Sequence, residues 1–183
     1  MRLKSILILL AIAIALGVYF YIANRPQPGP PPEPQLYVWL IEMDEIQHIE
    51  IRLPREDMSQ AFIKEEDRSW SFDDPQRTPV DMKRWGGGIP LLLSGPGIER
   101  VIAENATEEQ LTEFGLTQPQ MKITLTLEDG DILDIRVGDR TPDGAAFYVQ
   151  VPDSNDVCTV DYTWYEVLER LVKEPPYAPP PAD

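Results

Sequence analysis

Between Lys4 and Arg25 the chain runs for 20 residues without a charge, SILILLAIAIALGVYFYIAN, and no other feature restricts its fold as strongly. A helix of that length, rising about 1.5 Å per residue, spans roughly 30 Å, the hydrocarbon thickness of a bilayer. Tyr19, Phe20 and Tyr21 lie at its C-terminal end, where aromatic rings meet lipid headgroups. A cleaved signal peptide would need small residues just past a shorter apolar core. Ala11, Ala13 and Ala15 have that spacing but lie inside the core, and Tyr21 is too large to stand at −3 before a cut after Ala23. No cysteine follows the core, which argues against a lipoprotein anchor. Residues 1–24 are therefore expected to be a cytoplasmic tip and an uncleaved transmembrane anchor, with residues 5–24 in the membrane.

Charge sets the expected orientation. The 183 residues carry 16 Lys+Arg against 31 Asp+Glu, a net of −15. Arg2, Lys4 and Arg25 fall in the first 25 residues, which hold no acid. That leaves 13 of the 16 basic residues against all 31 acidic ones, a net of −18 for the rest. Basic residues flanking an anchor stay in the cytoplasm. The reading is thus a single-pass protein of a bacterial cytoplasmic membrane, its N-terminus inside and its acidic domain extracytoplasmic. Such acidity argues against a nucleic-acid partner, since phosphates need a basic face. One cysteine, Cys158, excludes an intramolecular disulfide or a cysteine-based metal cluster, and one histidine, His48, excludes a multi-histidine site.

Proline marks the borders of the folded part. Of 19 prolines, six lie at 26, 28, 30, 31, 32 and 34, and five at 175, 176, 179, 180 and 181. Proline lacks an N–H and restricts the residue before it, so residues 25–35 are expected to be an extended polyproline II linker, about 3.1 Å per residue. Residues 174–183 share the composition and are expected to form a disordered tail, leaving residues 36–173 as the domain.

Inside the domain the apolar period is mostly two. Met121-Lys-Ile-Thr-Leu-Thr-Leu127 alternates strictly, and Asp129-Gly130 signals a hairpin into Ile132–Val137. Further strands are predicted at Ile46–Leu53, Gln60–Lys64, Ser69–Phe72, Ile98–Glu104, Ala146–Val151 and Val157–Val160, with a turn over Gly138–Gly144. Thr107-Glu-Glu-Gln110 is a capping box that opens a helix ending at Gly115. Trp164, Val167, Leu168 and Leu171 have helical spacing within Tyr162–Lys173. A helix beginning at Val80-Asp81 is expected to break at Gly86-Gly87-Gly88 and Pro90. Val80-Asp81…Trp85 and Val160-Asp161…Trp164 echo one another. The fold class expected is α+β: a transmembrane helix, then antiparallel β-meander units each packed with a helix, as two repeated units with halves at 36–104 and 105–173.

These motifs, in order, resemble a known group. An Ile-x-x-Ile-x-Ile opening strand, a Trp-x-Phe strand and a Val-Asp helix start precede Leu111-Thr-Glu-Phe-Gly-Leu-Thr-Gln-Pro119. An Asp-Gly hairpin, Val137-Gly-Asp139 and Phe147-Tyr-Val-Gln150 follow. The chain is similar to the bacterial domain of unknown function 4340 family over about Ile46–Val172. The family has no agreed activity and no catalytic residues to carry over. Some members are encoded beside gliding-type ABC transport components, so the resemblance implies an envelope-associated accessory role. Gly86–Gly88 departs from the continuous helix the family would place there.

The residues offer little for catalysis. His48 has no nucleophile motif such as G-x-S-x-G beside it and reads as a strand histidine. Cys158 reads as a small core residue rather than an intermolecular disulfide. Gly86–Gly88 and Ser94-Gly-Pro-Gly97 lack the Lys-Ser/Thr of a P-loop. Carboxylates at Asp129, Asp131, Asp139 and Asp143 are weak Ca²⁺ candidates, without the twelve-residue loop pattern, and suit turns equally. Asp153-Ser-Asn-Asp156 reads the same way. The expected function is a non-enzymatic accessory or scaffold domain making protein–protein contacts in the envelope, needing no cofactor, with a partner-contact region at Trp85, Gly86, Gly87 and Gly88. The alternative is a cation- or ligand-binding module using the Asp-rich loops.

Overall fold

The computed structural model describes residues 36–85 and 88–178, together with Ile14, Leu16 and Phe20. The chain divides into two units, residues 1–34 and 35–183. In the first, the three described residues are helical and exposed. The proposed anchor otherwise lies outside the described residues, as does the linker up to Gln35. Among the described residues no helix is long and apolar enough to cross a membrane.

The second unit is an α+β domain dominated by one sheet. In chain order its elements are β1 (Ile46–Leu53), β2 (Met58–Lys64), β3 (Trp70–Phe72), α1 (Met82–Trp85), α2 (Ile89–Ser94), β4 (Arg100–Ala103), α3 (Glu108–Glu113), β5 (Met121–Leu127), β6 (Ile132–Arg140), β7 (Ala146–Gln150), β8 (Val157–Asp161) and α4 (Tyr162–Lys173). The eight strands run in the order β3-β2-β1-β5-β6-β7-β8-β4, antiparallel throughout. Two meanders are present, but they do not close separately. The pairing of Ile49 with Leu125 and Ile51 with Ile123 fuses them into one sheet.

Strict alternation puts every second residue on one face. Register stacks Phe72, Phe62, Ile49 and Leu125 in one row and Ile51, Ile123 and Ile135 in the next, all buried. Amphipathic α4 covers this face with Trp164, Tyr165, Leu168, Leu171 and Val172. Each such side chain contributes about 1.5–3 kcal/mol on full burial. α4 touches β1 and β2 as well as β7 and β8, so one helix serves both meanders. A single wide sheet needs a cover that crosses its seam, and α4 supplies it.

The opposite face is only partly covered. Over β7 and β8, Leu111 and Leu116 bury against Ala106 and Val157, with Phe114 and Tyr148 alongside. The capping box forms as expected: Gln110 N–H donates to Thr107 Oγ1 at 3.3 Å, and Thr107 N–H to Gln110 Oε1 at 2.9 Å. Gly115 ends the helix at φ +73°. β6 runs on to Arg140 instead of turning at Gly138, because that glycine serves proximity. A Cβ there would lie 2.1 Å from Phe114 O, and Asp139 N–H donates to that same carbonyl at 2.8 Å.

Two flanking segments are more ordered than their composition suggests. Glu174–Ala178 is docked, which corrects the disordered tail for these residues; 179–183 lie outside the described ones. The Tyr177 ring stacks on Phe72 with centroids 4.4 Å apart, Asp81 N–H donates to Pro176 O at 2.7 Å, and the Arg84 guanidinium donates to Glu174 O and Pro175 O. At the other end, Val38 and Trp39 are core residues.

Candidate functional site

The break in the helix after Val80 shapes the surface around it. Val80 is buried, and the Asp81 carboxylate caps α1 by accepting Lys83 N–H at 2.9 Å. Four residues on, Trp85 points inward: it is 2% exposed and packs on Phe62 and Trp70 with centroids 4.7 and 5.4 Å away. Trp85 is therefore a core residue and not a contact residue, since one helical turn from the cap carries its side chain onto the sheet. Gly86 and Gly87 lie outside the described residues. Gly88 is exposed, with no atom within 4 Å of where a Cβ would stand.

α2 follows directly and is held unusually well for six residues. The last four carbonyls of a helix have no partner within it. Here Leu91 O accepts Ser94 Oγ–H at 2.9 Å, Leu92 O the Trp164 indole N–H at 3.0 Å, Leu93 O the Trp39 indole N–H at 2.8 Å, and Ser94 O the Ile41 N–H at 2.8 Å. Ile89 and Leu93 are buried beneath, while Leu91 points outward at 61% exposure.

The entering segment lies across the end of α2. A Cβ on Gly95 would stand 2.6 Å from Trp39 O and 3.3 Å from Leu40 Cδ1, so only glycine permits this approach. Tyr37 bridges to Gly97. Leu36 and Leu40 are left 60% and 72% exposed, and Tyr37 is half exposed. Beside them a groove of about 290 Å³ is lined by Gly88, Leu91, Leu92, Gly95, Pro96 and Trp164. Clustered exposed apolar residues around a concave apolar surface are the usual mark of a contact site. Of the two predicted contact residues that are described, Gly88 lines this groove and Trp85 does not. Leu36, Leu40 and Leu91 had no separate signal, although Leu36-Tyr-Val-Trp-Leu-Ile41 is an apolar run directly after the proline-rich segment.

The Asp-rich loops are not brought together. Asp129 and Asp131 lie in the turn before β6, and Asp139 and Asp143 at its other end, across a nine-residue strand. Three of these acids already have partners within the fold. Asp129 accepts Asp131 N–H at 3.0 Å, and Asp139 pairs with Arg55 at 2.9 Å and accepts from Gln120. Asp143 accepts the Thr141 hydroxyl at 2.6 Å and then Ala145 N–H, and these bonds hold its carboxyl below the usual range. Among the described residues no three His, Cys, Asp or Glu side chains converge as metal ligands.

His48 is engaged with Asp73 at 3.0 Å, and Asp73 also pairs with Arg77 at 3.0 Å. Cys158 is buried, its thiol directed at Val149 O, and burial first, then Asp156, pushes its pKa up to about 12. A thiol so placed is a poor nucleophile at neutral pH.

The profile of the domain of unknown function (DUF4340) matches residues 70–174, from β3 through α4. The chain belongs to this family. The DUF4340 match covers more than half of the chain and contains the capping box, the Asp-Gly hairpin and Phe147–Gln150. It begins at β3, later than the Ile46 expected from the motifs, so β1 and β2 lie outside the matched segment although they are part of the same sheet. No curated protein and no solved structure matches the chain.

Proposed function

We propose that this DUF4340 protein is a non-enzymatic, single-pass membrane protein. Its extracytoplasmic domain acts as an accessory or scaffold that docks an apolar segment of an envelope or membrane-complex protein. The observation that carries the reading is the exposed Leu36, Leu40 and Leu91 around the groove beside Trp164. The uncharged run at residues 5–24, the basic residues before it and the proline-rich stretch after it support the anchor and its orientation. We also read the domain as two copies of one strand-and-helix unit. Val80 and Val160 are both buried, Asp81 and Asp161 both cap a helix, and Trp85 and Trp164 both pack inward.

A photo-crosslinker placed at Leu40 in native membranes tests the site. The expected result is one discrete adduct, lost on Leu91→Asp and absent when the probe sits at exposed Ile132. Recovery of the uncrosslinked chain alone would remove the proposal. A reporter fused after Asp183 that works only in the cytoplasm would overturn the orientation.

A further inference from the structure

Register sets three cations side by side on the open face of the sheet. Arg52 stands opposite Lys122, Lys122 opposite Arg136, and Arg136 opposite Gln150. Like charges directly opposite on neighbouring strands repel. The chain has about twice as many acids as bases, yet among the described residues none pairs with this row beyond Arg52. Glu50 holds Arg52 at 2.7 Å, and Asp134 is occupied by the Thr124 hydroxyl at 2.7 Å. Lys122 and Arg136 are exposed and make no ion pair or side-chain hydrogen bond among the described residues. Members of the row line two grooves. One, of about 350 Å³, is lined by Ser59, Arg52 and Lys122; the other, of about 620 Å³, by Arg136, Gln150 and Asn155.

We propose that this row binds an extended acidic peptide segment of a partner protein, laid across β1, β5, β6 and β7. Strands lie about 4.8 Å apart, so Arg52 to Gln150 spans roughly 14 Å, the length of about four extended residues. Side-chain carboxylates on alternate residues then face Lys122 and Arg136, whose long stems reach to them, and charge-assisted bonds form where none exist now. Gln150 closes the end of the row, its amide N–H groups already donated to Ser154 O at 2.8 Å and Asn155 Oδ1 at 3.2 Å. Asp57, Asp134 and Asp153 on the groove walls repel a densely charged polyanion and leave a spaced carboxylate pattern favoured. The row is on the sheet face opposite α4, so it is independent of the apolar groove.

The test uses the full chain in nonionic detergent with two fluorescein-labelled probes, the hexapeptide Glu-Ser-Glu-Ser-Glu-Ser and its twin with Gln for each Glu. Fluorescence anisotropy at about 50 mM and about 300 mM NaCl reads binding. The expected result is binding of the Glu peptide that weakens with salt, and about tenfold or weaker binding of the Gln twin. Lys122→Glu/Arg136→Glu should lose about tenfold while keeping its circular dichroism and melting temperature; Lys122→Gln/Arg136→Gln carries the test if that variant does not fold. Equal binding of the two peptides, no binding, or a double variant that binds as the parent does would overturn the proposal. So would inorganic polyphosphate displacing the peptide at lower concentration than the peptide itself binds, which assigns the row to a polyanion.

Discussion

Trp39 and Trp164 meet edge to face, 68° between planes and 6.0 Å between centroids, and their indole N–H groups donate to the carbonyls of two consecutive residues, Leu93 and Leu92. One tryptophan comes from the entering segment and the other from the C-terminal helix. Together they close the end of α2, a helix too short to persist by itself. The apolar groove exists because this end is fixed: Leu91 faces outward only while Leu92 and Leu93 are held from below.

Trp39→Phe and Trp164→Phe should each destabilise the domain by about 1–3 kcal/mol. Each keeps an aromatic ring but leaves a carbonyl at the end of α2 without its donor. Because both act on one helix end, the double variant should cost less than the sum of the singles. Urea titration of the two singles and the double checks this. Strict additivity would mean that the two indoles support α2 independently.

Period and caps made most of the sheet legible in advance. Met121–Leu127 alternates without exception, and Thr107 with Gln110 names a helix start that needs no tertiary context. What stayed hidden was long range. No local signal says that Ile51 pairs with Ile123, and the seam between the meanders decides that there is one domain core. Nor does proline content show that Tyr177 finds Phe72 to stack on. Trp85 looked like a contact residue because a run of three glycines follows it in sequence, yet its position one turn after Asp81 turns it inward. The proposed docking groove is equally non-local: the segment carrying Leu40 reaches the end of α2 only through the tight approach at Gly95.

Gly138→Ala should be far more damaging than an alanine in a strand ordinarily is. Gly138 has no need of a positive φ; the obstacle is Phe114 O, 2.1 Å from the new methyl. Accommodating it requires α3 to lift from β6, breaking the Asp139 N–H bond to that carbonyl and loosening Leu116. Overpacking of this kind costs about 1–3 kcal/mol or more. Thermal melting with Gly130→Ala as a comparison separates the effects, since Gly130 has φ +91° but open space around it. Equal losses would show that backbone strain matters here and the close approach does not.

Stability should fall at alkaline pH. Burial first, then Asp156, pushes the Cys158 thiol from its ordinary 9.0 up to about 12, and burial first, then Glu169, pushes Tyr165 from 10.0 up to about 12. Lys173 is raised as well, by its bonds to Glu56 and then Glu169. All three hold a proton more tightly folded than unfolded. Their contribution is complete below about pH 9 and is lost as pH rises toward 12, where the unfolded chain has already released those protons. Denaturant midpoints at neutral pH and at successive steps above pH 9 should decline, and Tyr165→Phe should flatten the decline. A midpoint unchanged across that range would contradict the buried state of both groups.

Lys122→Gln should make the protein more stable, the reverse of most substitutions. Lys122 stands between Arg52 and Arg136 in register and has no anionic partner among the described residues. Removing its charge relieves the cross-strand repulsion with Arg136, worth about 0.2–1 kcal/mol, and a smaller one with Arg52, which Glu50 already pairs, and strips no hydrogen bond from the sheet among the described residues. Salt should distinguish the two proteins: adding salt screens the repulsion in the parent and raises its midpoint, while the variant responds less. Urea midpoints at low and high salt read both effects. A variant less stable than the parent would mean that the Lys122 stem packs usefully on the strand beside it, and the repulsion would then no longer be grounds for expecting an anion on this row.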